Sequence, residues 1–327
     1  SLVAGTESAS AELRTVNRLS RPASGRQHIL EGVEPGRGTR HEARGGECSV
    51  REGQAVLRDV PQFEPLPFAG EQDRAVLEAI AQRLSWLESH VLGDDDRPRF
   101  AELVTTLFGP ELAALGWEAR ADEPVDLRVK RAAVIGALGH LAADPAVLAE
   151  ARRRLERYFV DRRALEPNLV PVVANLVARD GDAALYEHFL ERKRSSAADD
   201  PEEEERFLYA LASFEAPALV ARTLALTFTD DVRAQDRAFV LSRLLGGRAS
   251  RQAAWEFVRA GWNERIMTMD PMLRQYVIRG MAALTPAALA GTVEEFLAAH
   301  VTDDTRETTA QAREQLRIDA AAVARMG

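Results

Sequence analysis

The apolar residues that follow Pro145 recur at helical spacing. Leu148, Ala151, Leu155 and Tyr158 fall three or four positions apart, and charged residues occupy many of the positions between them. This spacing places the apolar side chains on one face of an α-helix. Proline suits the first turn of a helix because its missing N–H would have no partner there. The pattern therefore predicts an amphipathic helix that begins at Pro145.

Similar openings recur along the chain. A proline followed closely by alanine or leucine opens further segments at Pro110, Pro217 and Pro286, and related openings without proline occur at Asp182 and Gln252. The starts are about 35 residues apart, which is the length of a repeat made from two helices. One helix pair cannot bury its apolar face alone, so neighbouring pairs must stack. We therefore predict an all-α fold, a HEAT/armadillo-like superhelical array of antiparallel helix pairs, with helices that begin at these prolines.

The helical pattern divides the chain into two parts. Residues 1–70 are rich in Arg, Gly, Ser and Glu and have no sustained apolar period. Such a composition is typical of a poorly ordered or extended segment. The proline-spaced stretch 60–68 within it fits either a strap across the first helices or a linker. We predict that residues 71–327 form the helical-repeat domain.

Several turns and helix ends follow from local residue types. The run Asp94-Asp95-Asp96 predicts a loop or helix cap, and it lacks the alternating ligands and central glycine of a calcium loop. Gly116 predicts the end of a helix that starts near Arg99. The run Glu202 to Glu205 predicts a helix start with a solvated acidic face. A further helix is expected from about Asp231 to Gly246.

Five residues are candidates for a cavity or a domain interface: Arg131, Gln235, Asp236, Trp255 and Trp262. Arg131 falls on the apolar face of a helix predicted from Asp126 to Leu141, so it needs a partner. It fits either a cavity or interface anchor or an arginine that extends past the edge of the apolar face, and the second is the commoner case. Trp255 and Trp262 share a helix face and could line a ligand cavity, although core packing is the commoner reason for such spacing.

Composition narrows the classes of partner and compartment. The 327 residues are 46% hydrophobic and carry a net charge of −9, which argues against nucleic acid or an anionic membrane as a main partner. No stretch approaches the roughly 20 apolar residues of a membrane helix, and no signal peptide is evident. The single Cys48 cannot form an internal disulfide. We therefore expect a cytoplasmic protein with no membrane and no nucleic-acid partner.

Motifs of catalysis are not found in the sequence. The six histidines include no His-Glu-x-x-His arrangement, which would place two zinc ligands one helical turn apart. The nearest approach, His41-Glu42-Ala43-Arg44-Gly45, has glycine in place of the second histidine. His140 ends a predicted helix and is expected to cap it rather than to bind metal. We predict no catalytic, cofactor-binding or metal-binding residue in this chain.

A series of short motifs gives the chain a family resemblance. The motifs occur in this order: Leu115-Gly116-Trp117, Asp126-Leu127-Arg128, Arg131-Ala132-Ala133, Ala137-Leu138-Gly139, Tyr209 to Phe214, Val232 to Asp236, and Ala254 to Val258 with Trp262. Their order and spacing over residues 71–327 resemble the C-terminal helical domain of zinc aminopeptidases of the aminopeptidase N and puromycin-sensitive type, the endoplasmic reticulum aminopeptidase-like C-terminal domain.

The resemblance implies a role as the lid and scaffold of a zinc metallo-aminopeptidase. The expected partner is the catalytic domain of an aminopeptidase or another protein, and peptide substrates are met only indirectly. The resemblance implies that zinc belongs to a catalytic domain outside this chain and that the chain alone is not an active hydrolase. The alternative is a free-standing helical-repeat adaptor that binds a protein on its concave face.

Overall fold

The structure is a computed structural model that describes residues 70–326. The predicted N-terminal segment lies outside the described residues apart from Gly70, and so does Cys48. The described part of the chain contains thirteen α-helices and no strand: α1 Arg74–His90, α2 Arg97–Leu115, α3 Val125–His140, α4 Pro145–Val160, α5 Val170–Arg179, α6 Ala183–Ser196, α7 Pro201–Leu211, α8 Pro217–Leu226, α9 Arg237–Gly246, α10 Arg251–Ala260, α11 Pro271–Gly280, α12 Ala287–Ala299 and α13 Arg306–Met326. The predicted all-α class is confirmed.

The helices pack as a continuous row, to which further helices are added as partners. The odd-numbered helices from α1 to α13 each contact the next odd-numbered helix. Helices α2, α4 and α6 pack on the odd-numbered helix that follows each of them, α10 packs on α9, and α12 packs on α13. The contacts thus join each helix to its near neighbours in sequence, as in stacked repeats. The superhelical form of a HEAT/armadillo-like array stays a prediction.

Most of the predicted helix starts are confirmed. The Asp144 side chain accepts hydrogen bonds from the backbone N–H groups of Ala146 and Val147, and Pro145 opens α4. Pro217 opens α8, and Pro286 directly precedes α12. The prediction is wrong for Pro110, which lies inside α2. Leu107 and Phe108 before it and Glu111 after it are buried, so packing on both sides of Pro110 offsets the hydrogen bond that proline cannot donate.

Two other predictions on residues 200–236 are also corrected. Glu202 and Glu205 at the acidic start of α7 are exposed as predicted, but Glu203 and Glu204 are 0% and 5% exposed, so the solvated face is wrong for these two. They bind the cations Arg192 and Lys193 of the preceding helix, at 3.0 Å each. Helix α9 begins at Arg237 rather than near Asp231, because the intervening residues form turns and Asp231 binds Arg194 at 2.7 Å. The signs of these charges are evident from residue type, but their partners are set by the packing of α6 against α7 and the turns before α9.

The buried apolar side chains form two clusters along the row. We call the cluster from Leu77 to Phe214, with Leu219, the N-terminal core. The cluster that contains Leu208 and the buried apolar residues from Val220 to Leu316 is the C-terminal core. Helices α7 and α8 contribute to both, since Phe207 faces one cluster and Leu208 the other. The joint between the two cores therefore runs through α7 and α8.

The described helices differ in length and hydropathy from a membrane-spanning helix. Among residues 70–326, no single helix is long and apolar enough to cross a bilayer. Helices α3 and α4 meet the length and composition requirements only as a pair, and that pair is bent by 119° at its break.

Candidate functional site

The C-terminal ends of α1, α3, α5, α7 and α9 meet around a cavity rich in charged side chains. It consists of two adjoining volumes of about 530 and 390 Å³. We call them together the charged cavity, and the residues that line both volumes are Ser85, His140, Arg179, Glu215, Arg248 and Ala249. A third volume of about 670 Å³ lies along α1 and α3 and also reaches Ser85 and His140. Because repeats stack in register, equivalent helix ends come to the same edge of the row.

His140 and Arg179 form one wall of the charged cavity. The Arg179 Nη1 donates to the backbone carbonyl of His140 at 2.9 Å, and Arg179 Nε lies 3.6 Å from Glu215 Oε1. Burial, and next the positive charge of Arg179, lower the pKa of His140 to about 4, although Glu88 opposes the shift. Partial desolvation raises the pKa of Glu215. The imidazole, in the last turn of α3, is therefore neutral near pH 7.

Arg248, which lines the charged cavity, and Arg251 beside it both reach the end of α1. Arg248 Nη1 donates to the carbonyl of Leu92 at 3.2 Å, and its Nη2 lies 3.4 Å from Asp94 Oδ1. Arg251 Nη2 donates to the carbonyl of Ser89 at 2.7 Å. The last carbonyls of a helix lack partners within the helix and carry partial negative charge, so arginine suits this position. These contacts join residues more than 150 positions apart.

The chemistry of the charged cavity is that of a binding surface. It presents fixed guanidinium and carboxylate groups beside a neutral imidazole, and these groups suit the recognition of charged or polar partners. Among residues 70–326, no three His, Cys, Asp or Glu side chains are grouped so that they could hold a metal ion. The described residues therefore offer no such site for zinc, which the family resemblance implies lies in a catalytic domain outside this chain.

Arg131 is buried and paired rather than extended past the edge of its helix. Its exposure is 1%, and its Nε donates to the carbonyl of Gly116 at 2.9 Å. Its Nη2 donates to the carbonyl of Leu115 at 3.2 Å and to Glu123 Oε2 at 2.9 Å. Gly116 has a φ of 61°, which glycine adopts readily, and so turns the chain away from α2. The expectation that Arg131 reaches solvent is wrong, because it binds the end of α2.

The other predicted site residues lie in different surroundings. Trp255 and Trp262 are 2% and 4% exposed, and both pack edge-on against Phe296 with ring centroids 5.1 Å apart. This is the core-packing alternative for the two tryptophans. Asp236 is buried at the start of α9 and binds Arg233 at 2.7 Å, whereas Gln235 is exposed. Arg131 contacts the N-terminal core and the tryptophans belong to the C-terminal core, so the five residues do not form one site.

The residues of the charged cavity were missed at the level of sequence. His140, Arg179, Glu215 and Arg248 each lie at or just after the end of an odd-numbered helix. They follow one another at intervals close to the repeat length of about 35 residues. Polar residues at helix ends usually serve as caps, so this spacing alone did not mark a site. Comparing equivalent helix ends across the repeats is the signal that could have found them.

Comparisons with known proteins point to one enzyme class. The chain is 28% identical over 274 residues to Aminopeptidase M1-A of Oryza sativa subsp. japonica, a match that covers 81% of this chain and 29% of that protein. It is 24% identical over 239 residues to Aminopeptidase 2 of Candida albicans, covering 71% of this chain and 25% of the relative. It is 27% identical over 215 residues to Aminopeptidase M1 of Arabidopsis thaliana, a match that covers 63% of this chain and 24% of that protein. The chain therefore spans less than a third of the length of these relatives.

The family assignment covers most of the chain. Residues 49–318 match the ERAP1-like C-terminal domain, and the match begins within the segment predicted to precede the helical domain. All thirteen described helices except the end of α13 fall inside the matched range. The chain therefore belongs to the ERAP1-like C-terminal domain family.

Proposed function

We propose that this chain is the C-terminal lid and scaffold of a zinc metallo-aminopeptidase. The observation that carries the proposal is the family match over residues 49–318, together with relatives named aminopeptidases that this chain covers only in part. In this proposal the catalytic domain, its zinc and the cleavage of peptide N-termini belong to a part of the enzyme outside the chain. The chain alone is not a hydrolase.

The charged cavity gives the proposed lid a binding surface. Its guanidinium groups and carboxylates suit a polar, charged chain such as a peptide that extends away from a catalytic centre. The pKa of His140 is about 4, so this imidazole adds no positive charge between pH 6 and 8. The electrostatic field of the cavity near neutral pH therefore comes from its Arg, Asp and Glu side chains. In this proposal the catalytic domain holds the peptide N-terminus that is cleaved, and the charged cavity meets only the part of the peptide that extends beyond it.

Two activity measurements test this role. First, the isolated chain is incubated with zinc and aminoacyl fluorogenic substrates, and no hydrolysis above a chelated control is expected. Second, the chain replaces the matched segment of the Oryza sativa Aminopeptidase M1-A, and the hybrid is compared with the same enzyme truncated at the junction. We expect the hybrid to regain a dependence of kcat/KM on peptide length that the truncated enzyme lacks.

The outcomes of these measurements separate lid from adaptor. Hydrolysis by the isolated chain that is abolished by chelation and restored by zinc would contradict the assignment of catalysis to another part. A hybrid whose grafted domain is folded by circular dichroism, yet which behaves as the truncated enzyme does, would contradict the lid role and favour the adaptor.

We further propose that the protein acts in the cytoplasm, without a membrane or a nucleic acid as partner. The net charge of −9 and the single Cys48 motivate this proposal. Imaging of the tagged full-length protein in its own cell tests the compartment. Salt-sensitive binding of the chain to RNA, DNA or anionic vesicles would contradict the partner assignment.

A further inference from the structure

The two hydrophobic cores divide the row of helices into two bodies. The N-terminal core draws its side chains from α1 to α8, and the C-terminal core from α7 to α13. They share α7 and α8, where Phe207 and Leu219 belong to one core and Leu208 and Val220 to the other. Packed cores resist deformation, so relative motion of the two bodies concentrates at a joint of this kind.

Contacts near the joint fix the two bodies to each other there. Arg194 binds Asp231 at 2.7 Å, and Tyr186 Oη lies 3.0 Å from Thr223 Oγ1. These residues belong to α6 to α9 or the turns beside them. The contacts therefore lie close to an axis through α7 and α8 and can persist if the bodies rotate about it.

Polar contacts also join the second body to the end of α1 across the charged cavity, which borders the joint at Glu215. Most residues of its 530 Å³ volume precede α8, and only Arg248 and Ala249 come from the second body. Arg248 and Arg251 bind the carbonyls of Leu92 and Ser89 at the end of α1. Arg248 also lies within ion-pair distance of Glu88 and Asp94, at 3.9 and 3.4 Å. Charged hydrogen bonds of this kind are screened by salt where they reach solvent, and the Arg248 side chain is 40% exposed.

We propose that Arg248 and Arg251 form a latch that holds the charged cavity closed, and that its release lets the two bodies rotate about α7 and α8. The motion widens the gap between the end of α1 and the start of α10. Burial lowers the pKa of Arg251, which reflects the cost of placing this cation against α1. The closed state thus depends on the carbonyls and carboxylates at the α1 end remaining in place. The latch does not rest on the proposed aminopeptidase role.

Distance measurement by pulsed electron spin resonance tests the latch in the full chain. Spin labels are attached at Arg83→Cys on α1 and Gln252→Cys on α10, two exposed positions, in a Cys48→Ser background. At low salt we expect one narrow distance distribution. In 1 M salt, where the Debye length is about 3 Å, the distribution should shift to longer distances and broaden. Arg248→Ala, alone and with Arg251→Ala, should produce the same shift at low salt.

Arg243→Ala is the matched control, because Arg243 lines the same cavity but contacts Tyr209 rather than α1. It should leave the distance distribution unchanged. The latch would be overturned if the wild type gave the same distance distribution at both salt concentrations and Arg248→Ala gave that distribution as well. It would also be overturned if Arg243→Ala shifted the distribution as far as Arg248→Ala does. Arg251 is only 5% exposed, so its variant is checked by circular dichroism. If that variant fails to fold, the salt series and Arg248→Ala decide the question.

Discussion

The N-terminal and C-terminal parts of the helical row differ in the polar side chains that they bury. Up to α7, the buried side chains include the charged residues Glu111, Lys130, Arg131, Arg154, Lys193, Glu203 and Glu204. From α8 onward, buried polar side chains are mostly threonines, and Trp255 and Trp262 meet around Phe296. Buried charges are thus concentrated in the N-terminal part, whereas aromatic packing occurs in both parts, around Phe189 in the first and around Phe296 in the second.

The buried ion pairs of the N-terminal part help to specify which helices pack against each other. Lys130 binds Glu111 across α2 and α3, and Lys193 binds Glu204 across α6 and α7 at 3.0 Å. A buried charge without its partner is strongly destabilising, so each pair favours one helix neighbour over others. Aromatic contacts favour burial with less dependence on a single partner atom. The N-terminal part should therefore be more sensitive to the loss of one polar group.

The largest expected effect in the N-terminal part comes from Glu203→Ala. Glu203 is fully buried and binds Arg192 and the Tyr158 hydroxyl, with Arg162 and Arg206 nearby. Its removal leaves these groups without their carboxylate, and we expect a loss of about 3–5 kcal/mol in the free energy of unfolding. Urea denaturation measures it. The exposed neighbour Glu202→Ala should change stability by no more than about 0.5 kcal/mol, and equal effects would break the comparison.

Trp255→Ala probes the aromatic packing of the C-terminal part. The side chain is 2% exposed and lies edge-on to Phe296. Loss of this burial and the cavity left behind should lower the free energy of unfolding by about 3–5 kcal/mol. Phe296→Leu in the same background measures the coupling between the two rings. Additive effects of the two substitutions would show that the edge-on contact contributes nothing beyond burial.

The N-terminal part should also respond to acid through His140. Its pKa is about 4 in the folded protein against 6.5 ordinarily, so the unfolded chain binds the proton first. The free energy of unfolding should therefore fall as pH drops from about 6.5 to 4, by up to about 3 kcal/mol, because one pKa unit corresponds to about 1.4 kcal/mol. Denaturation curves across this range are compared with His140→Asn. A variant with the same pH slope as the wild type would contradict the prediction.

The smallest effect is expected from a double-mutant cycle on Lys193 and Glu204, which measures the coupling energy of this ion pair. Both side chains are almost fully buried, at 3% and 6% exposure. Lys193→Met and Glu204→Met are made singly and together, and the double variant should be more stable than the sum of the single losses by about 1–3 kcal/mol. Lys193 also binds the carbonyl of Asp231, which the cycle leaves unpaired in two of its variants. A coupling energy near zero would mean that this pair does not select the helix neighbour.

Much of the local structure was predictable because it depends on short stretches of chain. The start of α4 at Pro145 follows from Asp144 and proline, and the end of α2 follows from Gly116. The prediction at Pro110 is wrong because proline, which usually begins a helix, is tolerated inside one when packing offsets the hydrogen bond it cannot donate. The start of α9 was placed too early because charges near Asp231 are used in ion pairs with α6 rather than in a helix turn.

The candidate site was less predictable than the helices. Trp255 and Trp262 stood out by residue type, yet they serve the C-terminal core. Arg179 and Arg248 did not stand out, yet they line the charged cavity. An arginine at a helix end has the same sequence signature whether it caps its own helix or reaches another. Residue type and local spacing therefore could not separate the two cases.

The sequence by itself determined the all-helical class, the repeat of about 35 residues and most helix starts, because periodicity and capping act over a few turns of chain. Only the tertiary structure decided which charges are buried together and which helix ends meet. Arg248 contacts the Leu92 carbonyl across a separation of 156 residues, and nothing local to either residue specifies the other. The stacking of the intervening helices brings these two residues together, because the displacement of each helix relative to its neighbour adds up along the row.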